Sequence, residues 1–185
     1  ALQQAIIKKY QRDQNHLFQF DVLEISPAAA RILFSVPGQN PSLYITFDKN
    51  PSDAVLHAIK EANPAASLTI KLPSELTPLQ AKILGIHPGS LTIDCKSIPP
   101  ESAMELVRTP RRSLDLEVKK PLTAATAAIL ARIEGTLAIN QGYSASGNFH
   151  VVGFTEEAAQ VFARQFRGEN LFLSKKGQQM VDAFR

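Results

Sequence analysis

The chain has 185 residues, of which 44% are hydrophobic and 20% are charged, a composition that indicates a folded globular protein and excludes a disordered one. Its apolar runs are short and broken by polar residues or proline, which predicts no association with a membrane, and residues 1–14 lack the apolar centre of a signal peptide. The single cysteine, Cys95, excludes an intramolecular disulfide, and we therefore expect a cytoplasmic protein.

The pattern of residues 42–72 predicts a strand, a helix and a second strand. Residues 43–47 and 68–72 each alternate apolar with polar side chains, as half-buried strands do. Between them Asn50 is the predicted N-cap of a helix whose inner face includes Ile59. Two strands joined by a helix of this length predict a parallel pair with a right-handed crossover.

The chain before this unit is predicted to form a helix and two strands. Residues 1–14 have the narrow apolar stripe of a helix. Alternation over 18–25 predicts a strand that ends at Ser26 and Pro27, and alternation over 32–36 predicts another strand. The short connections between these strands predict an antiparallel meander that leads into the parallel unit, and hence a mixed sheet.

Helices and strands are predicted to alternate after residue 72. Thr77 and Pro78 are the predicted N-cap and first residue of a helix that ends at Gly85. Residues 91–95 alternate in the manner of a strand, with Cys95 facing the core. A further helix is expected to follow, because two prolines precede a short run with helical spacing.

Residues 114–119 alternate apolar with charged side chains. This pattern predicts a strand whose charged face is solvated, or a sheet edge protected by charge. From Pro121 the sequence predicts an alanine-rich helix at 123–134, a short strand at 137–139, a flexible loop at 140–148, a strand at 149–154, and helices that begin at Thr155 and Ser174.

The fold class expected from these elements is α+β, or mixed α/β. It consists of a mixed sheet with a central β-α-β unit and a helix-rich C-terminal part. Residues 1–185 are predicted to form a single domain, with the alternative of a mixed-sheet lobe over 1–120 and a helical lobe over 121–185. The pattern predicts no internal repeat.

The sequence lacks the motifs that accompany common catalytic chemistry. The four histidines have no metal-ligand spacing, no nucleophile elbow surrounds a serine, and neither a phosphate-binding loop nor a dinucleotide fingerprint is present. We therefore expect a non-catalytic protein without a metal or another cofactor. Any site formed by residues distant in sequence is left open by this reasoning.

Basic residues are the remaining signal, and the formal net charge is +3. Clusters of such residues contact phosphates in nucleic-acid-binding proteins. The sequence thus predicts a non-catalytic accessory domain that binds DNA or RNA through a mildly basic surface. The candidate contact residues are Arg108, Arg111, Arg112, Lys119, Lys120, Arg164, Arg167, Lys175 and Lys176.

An alternative interpretation is a protein-interaction or adaptor module, with the chain a fragment of a larger multidomain protein. In this interpretation the basic residues only balance the acidic residues interleaved with them. The partner protein would contact the C-terminal helices, where phenylalanines left uncovered would form an apolar patch. The candidate residues of this patch are Phe162, Phe166, Phe172 and Phe184.

Overall fold

The computed structural model describes residues 6–12, 17–35, 41–62, 66–109, 113–139 and 153–185. After two initial strands, helices and strands alternate. The strands are β1 (Ile6–Arg12), β2 (Leu17–Glu24), β3 (Ser42–Phe47), β4 (Ser67–Lys71), β5 (Leu91–Cys95), β6 (Ser113–Val118), β7 (Thr136–Ile139) and β8 (Asn170–Leu173). The helices are α1 (Pro27–Phe34), α2 (Asp53–Ala62), α3 (Pro78–Gly85), α4 (Pro100–Val107), α5 (Ala124–Leu130), α6 (Glu156–Gln165) and α7 (Lys175–Asp182). Among these described helices, none has the length and apolar character needed to cross a membrane.

The strands lie in one sheet, in the same order as in the chain. β1 pairs antiparallel with β2, and each later pair of neighbours is parallel. Each helix contacts the next helix along the chain, so the helices form one layer on a single face of the sheet. The predicted mixed sheet with its central β-α-β unit is confirmed, and the strict alternation of the elements gives it the α/β class.

The core lies between the sheet and the helix layer. Alternate residues of the parallel strands point towards the helices and are buried, and the register stacks similar side chains on one another. One ladder contains Leu43, Leu68, Leu91, Leu114 and Leu137, and the next contains Ile45, Ile70, Ile93, Leu116 and Ile139. Each strand–helix unit therefore buries its apolar face mainly against its two neighbours, as in a solenoid.

The ladders arise from an internal repeat. Ser-Leu-Thr-Ile at 67–70 recurs as Ser-Leu-Thr-Ile at 90–93, Ser-Leu-Asp-Leu at 113–116 and Thr-Leu-Ala-Ile at 136–139, at intervals of 23 residues. The sheet pairs these segments in register. The prediction of a sequence without a repeat is therefore wrong. The repeat is difficult to detect because only a few strand positions carry it, while the helices between them differ in sequence.

Serine or threonine hydroxyls cap six of the seven described helices. Each accepts a hydrogen bond from the backbone N–H three residues later, and the capping residues are Ser26, Ser52, Thr77, Thr123, Thr155 and Ser174. In α2 the cap is Ser52 rather than the predicted Asn50, whose side chain is hydrogen-bonded to the Ser74 hydroxyl. The predicted helix starts at Thr77, Thr155 and Ser174 are confirmed.

Three predictions for the N-terminal part are wrong. Residues Ile6–Arg12 form a strand instead of a helix. The predicted strand at 32–36 overlaps α1. Ser26 and Pro27 follow the end of β2 as predicted, and they are also the N-cap and first residue of this helix. Because α1 connects β2 to β3, these two strands are parallel, and a second β-α-β unit replaces the predicted antiparallel meander.

The sheet continues through the C-terminal part of the chain. β7 pairs with β6, β8 pairs with β7, and α5, α6 and α7 extend the helix layer. α5 ends at Leu130, earlier than the predicted residue 134. The predicted loop at 140–148 and most of the predicted strand at 149–154 lie outside the described residues, while Phe154 forms a parallel bridge with Leu122.

Two consecutive helices make the same hydrogen bond to the unit before them. The buried Ser102 of α4 donates to the carbonyl oxygen of Leu76 at 2.6 Å, and the buried Thr126 of α5 donates to that of Ile98 at 3.2 Å. Each accepting residue immediately precedes the N-cap of the previous helix. These bonds tie the start of one helix to the strand–helix turn of its neighbour.

We expect Ser102→Ala to lower the free energy of unfolding by about 1–2 kcal/mol, because the carbonyl of Leu76 loses a partner in a buried position. Urea denaturation followed by circular dichroism measures the change. Ser67→Ala, at an exposed strand position, is the matched control and should change the stability by less than about 0.5 kcal/mol. Equal effects of the two substitutions would contradict a stabilising role for the Ser102 hydrogen bond.

The predicted core position of Cys95 is confirmed, since the residue is completely buried. Burial raises the pKa of its thiol to about 12, with a smaller contribution from the negative charge of Asp94. We expect iodoacetamide at about pH 8 to leave Cys95 of the folded protein unlabelled while the urea-unfolded chain reacts fully, because the thiolate is the reactive form. Mass spectrometry distinguishes these outcomes, and rapid labelling of the folded protein would show that the thiol is accessible.

Candidate interaction surface

The basic residues predicted to bind phosphates lie at both ends of the parallel strands. Arg111 and Arg112 lie outside the described residues, and the other seven are exposed. Those at the edge where the parallel strands end, here called the carboxyl edge, are Lys119, Lys120, Lys175 and Lys176. Those at the opposite edge, here called the amino edge, are Arg108, Arg164 and Arg167.

The length of a strand separates these two basic groups. β6 has 6 residues and β8 has 4, which corresponds to roughly 13–20 Å between the edges. Arg108 also forms an ion pair with Glu105 at 2.8 Å. The fold therefore brings the four lysines to one edge and the three described arginines to the other.

The face of the sheet opposite the helix layer, here called the open face, carries the polar half of the strand alternation. Its residues on β3 to β6 form two rows in register across the strands. The first row contains Tyr44, Thr69, Thr92 and Asp115, and the second contains Thr46, Lys71, Asp94 and Glu117. All helices of the described residues lie on the other face, so none of them covers these two rows.

The phenylalanines proposed for an apolar patch are mostly covered. Phe162 is fully buried, and Phe166 and Phe184 are half-buried against the core. Phe172 is 46% exposed and lies on the open face, in register with Ala138 of the neighbouring strand. The sequence thus identified one exposed aromatic residue, but it lies on the sheet and not on the C-terminal helices.

Three carboxylates lie close together on the open face. They are Asp94 of β5 and Asp115 and Glu117 of β6, here called the acidic patch. Asp94 and Glu117 are register partners on strands about 4.8 Å apart, and Asp115 lies two residues before Glu117 on the same face. Because β6 pairs with both β5 and β7, it lies in the interior of the sheet, and of the two predicted alternatives for this charged strand the edge position is wrong.

Lys71 of β4 balances one carboxylate of the patch. Its ammonium nitrogen lies 3.0 Å from Oδ2 of Asp94. The residue Asp94 as a whole is only 8% exposed. The hydrogen bond to Asp94 raises the pKa of Lys71, against the opposing effect of burial. Beside this pair, burial raises the pKa of the Tyr44 hydroxyl, and the positive charge of Lys71 counteracts this shift in part.

The other two carboxylates have no ion-pair partner among the described residues. Burial raises the pKa of Asp115, and the hydrogen bond from the backbone of Leu116 offsets part of this shift. Burial also raises the pKa of Glu117, the negative charges of Asp115 and Asp94 raise it further, and the positive charge of Lys71 offsets part of this shift. Oδ1 of Asp115 is buried and has no hydrogen-bond partner in the described part of the chain.

We expect Asp115→Asn to stabilise the protein near neutral pH by about 1 kcal/mol, because it removes a half-buried charge that lacks a counter-charge. A raised folded-state pKa means that protonated Asp115 stabilises the fold below its ordinary pKa of 3.8, and that this contribution is lost as the pH rises through the folded-state pKa. The advantage of Asp115→Asn should therefore disappear in acid.

Urea denaturation at several pH values between neutrality and about pH 3 tests this dependence. Glu101→Gln, at an exposed position in the first turn of α4, is the matched control and should show no such gain. A stabilisation by Asp115→Asn that is the same at every pH would contradict the assignment to the ionised carboxylate.

A cavity of about 260 Å³ lies at the carboxyl edge, between the ends of β2 and β3 and the start of α2. Glu24 and Lys49 contribute opposite charges to its wall, and the rest of the lining is a mixture of apolar residues such as Phe47 with small polar residues. This lining does not favour one class of ligand.

Metal binding was not expected from the sequence, and in the described ranges no group of three His, Cys, Asp or Glu side chains is arranged to hold a metal ion. Nε2 of the buried His87 lies 2.8 Å from the carbonyl oxygen of Ala66, which links the turn before β5 to the start of β4. This histidine therefore has a structural contact. His16 and His150 lie outside the described residues.

Sequence reasoning did not identify Lys71 or the acidic patch as a candidate site. The signal was nevertheless present, because Lys71, Asp94 and Glu117 occur at intervals of 23 residues. Recognition of the repeat would have placed these three positions on one face in adjacent strands.

Comparison of the chain with protein-family models, curated proteins and solved structures finds no significant match. The surface chemistry of the fold is therefore the basis for any functional proposal.

Proposed function

We propose that this chain is a non-catalytic protein-interaction module that binds a segment of another protein on the open face. The main support is the acidic patch, in which two half-buried carboxylates have no ion-pair partner among the described residues. Burial of unbalanced charge costs stability. Such a cost is commonly found where a surface has a binding role, since perturbed ionisable groups concentrate at functional sites.

The form of the surface also favours a protein partner. The two rows of β3 to β6 combine hydroxyl, carboxylate and ammonium groups on a rigid sheet with the aromatic ring of Phe172 on β8. Polar groups that fix orientation beside an aromatic contact are typical of protein–protein interfaces. Solenoid proteins in general bind partners along the extended surface that their repeats create.

Selection of linear peptides from a random displayed library, with the chain as bait, tests this proposal. Thr69→Arg places a long side chain in the first row of the open face, and we expect it to abolish binding of the selected peptides. Leu79→Arg, at an exposed position of α3 in the helix layer, is the matched control and should leave binding intact. Peptides that bind equally well to both variants would refute the proposed surface.

A second candidate function is nucleic-acid binding at the carboxyl edge. The observation in its favour is that the two lysine pairs at positions 119–120 and 175–176 follow strands that are only two places apart in the sheet. Titration with labelled single-stranded DNA and RNA, starting at low salt, tests it. The logarithm of the affinity should fall linearly with the logarithm of the salt concentration, with a slope of about one unit per phosphate contact. Lys119→Ala with Lys120→Ala should flatten that slope, and undetectable binding would eliminate this candidate.

A further inference from the structure

This inference rests on the proposed function. If the open face binds a protein segment, the charge at the centre of that face indicates what the segment contains. Lys71 pairs with Asp94, so the group formed by Lys71 and the acidic patch retains the charges of Asp115 and Glu117. These two side chains project from one strand about 7 Å apart. A cation placed between them would meet two carboxylates in a partly water-excluded position, where charge-assisted hydrogen bonds are strong.

The arrangement also distinguishes between kinds of cation. An ammonium group is a compact charge with three donors, whereas a guanidinium presents five donors in a planar fork that can serve two carboxylates together. Oδ1 of Asp115 is buried and lacks a hydrogen-bond partner in the described residues, so this carboxylate retains an unused acceptor. The exposed ring of Phe172 lies two strands from Asp115 in the same row, where an apolar neighbour of the cation would reach it.

We propose that the open face binds an extended segment of a partner protein that carries an arginine, and that the guanidinium of this arginine lies between Asp115 and Glu117. The positive charge of the arginine supplies Asp115 and Glu117 with an ion-pair partner, which neither has among the described residues, since Lys71 pairs with Asp94 and acts on Glu117 only from a greater distance. The loss of stability caused by the burial of Asp115 and Glu117 is then offset in the complex. Functional residues often lower the stability of a free protein in this way and are stabilised when the ligand binds.

The same displayed-peptide selection provides the first test. Peptides whose binding is lost in Thr69→Arg are expected to be enriched in arginine relative to the unselected library. If peptides that depend on the open face show no such enrichment, the arginine proposal fails while the proposed function stands. If no selected peptide depends on the open face, both fail.

The second test measures the affinity of one arginine-containing selected peptide by fluorescence anisotropy. The double variant Asp115→Asn with Glu117→Gln keeps the shape of both side chains, and we expect it to weaken binding about tenfold or more. Glu101→Gln with Glu156→Gln removes two exposed carboxylates from the helix layer and should change the affinity by less than about twofold. Equal losses in both double variants would assign the attraction to overall charge and overturn the proposal.

Peptide variants separate the remaining possibilities. Replacement of the arginine by citrulline removes the charge with little change in shape and should weaken binding as much as the double variant does. Replacement by lysine should also weaken it, and full retention of affinity with lysine would overturn the assignment of a guanidinium. Sedimentation of the chain at increasing concentration tests for a different occupant, a second copy of the chain. If the chain self-associates and the double variant Asp115→Asn with Glu117→Gln abolishes this, the surface binds a second copy and the proposal of a separate partner is refuted.

Discussion

Ile59→Ala should lower the free energy of unfolding by about 2–4 kcal/mol, through lost burial of the side chain and the cavity left behind. Ile59 lies on the inner face of α2, is 1% exposed, and packs in the core between the sheet and the helix layer. Urea denaturation at constant pH, followed by circular dichroism, measures the change.

Ile32→Ala is the matched control for this experiment, because it makes the same chemical change in a helix of the same layer. Ile32 is 66% exposed on α1, and its substitution should cost less than about 0.5 kcal/mol. If the two substitutions had equal effects, α2 could not be packed on β3 and β4 as described.

Lys71→Met should destabilise the protein by about 1–3 kcal/mol near neutral pH, because it leaves the carboxylate of Asp94 buried beside Glu117 without its counter-charge. The exposure of part of the Lys71 side chain reduces the effect relative to a fully buried pair. Methionine keeps most of the apolar stem of lysine, so the change isolates the charge.

A second substitution distinguishes the loss of the ion pair from a loss of packing. Asp94→Asn in the Lys71→Met background removes the unpaired charge and should restore a large part of the lost stability, which a double-mutant cycle quantifies. Additive effects of the two substitutions would mean that Lys71 and Asp94 do not interact in the folded protein.

The sequence was sufficient to predict elements whose signals are local. Strand alternation together with the Thr77, Thr155 and Ser174 caps correctly located several strands and helices. The same rules failed at α1, because alternation of apolar residues over a few positions is compatible with both strand and helix. There the cap and proline at Ser26 and Pro27 were the informative signal, since they start α1 just as Thr77 and Pro78 start α3.

The order of the strands and the location of the acidic patch depend on contacts between units. Asp94 and Glu117 are 23 residues apart in sequence and become neighbours only because β5 and β6 pair in parallel register. Local alternation predicted that the charged side chains of β6 face away from the core, but it could not determine whether this strand lies at an edge or in the interior of the sheet. Burial, which shifts the pKa values of Asp115 and Glu117, follows from that interior position.

The 23-residue spacing of the units from β4 to β7 means that a whole unit could be removed from this stretch of the chain. Removal of residues 90–112 would join Gly89 directly to Ser113, and the strand that begins at Ser113 would then follow the same kind of turn that now precedes Ser90. The leucine and isoleucine ladders would lose one step each without a change of register. A gene can therefore lengthen or shorten such a protein by whole units, and each unit gained or lost changes the number of side chains displayed on the open face while the fold stays the same.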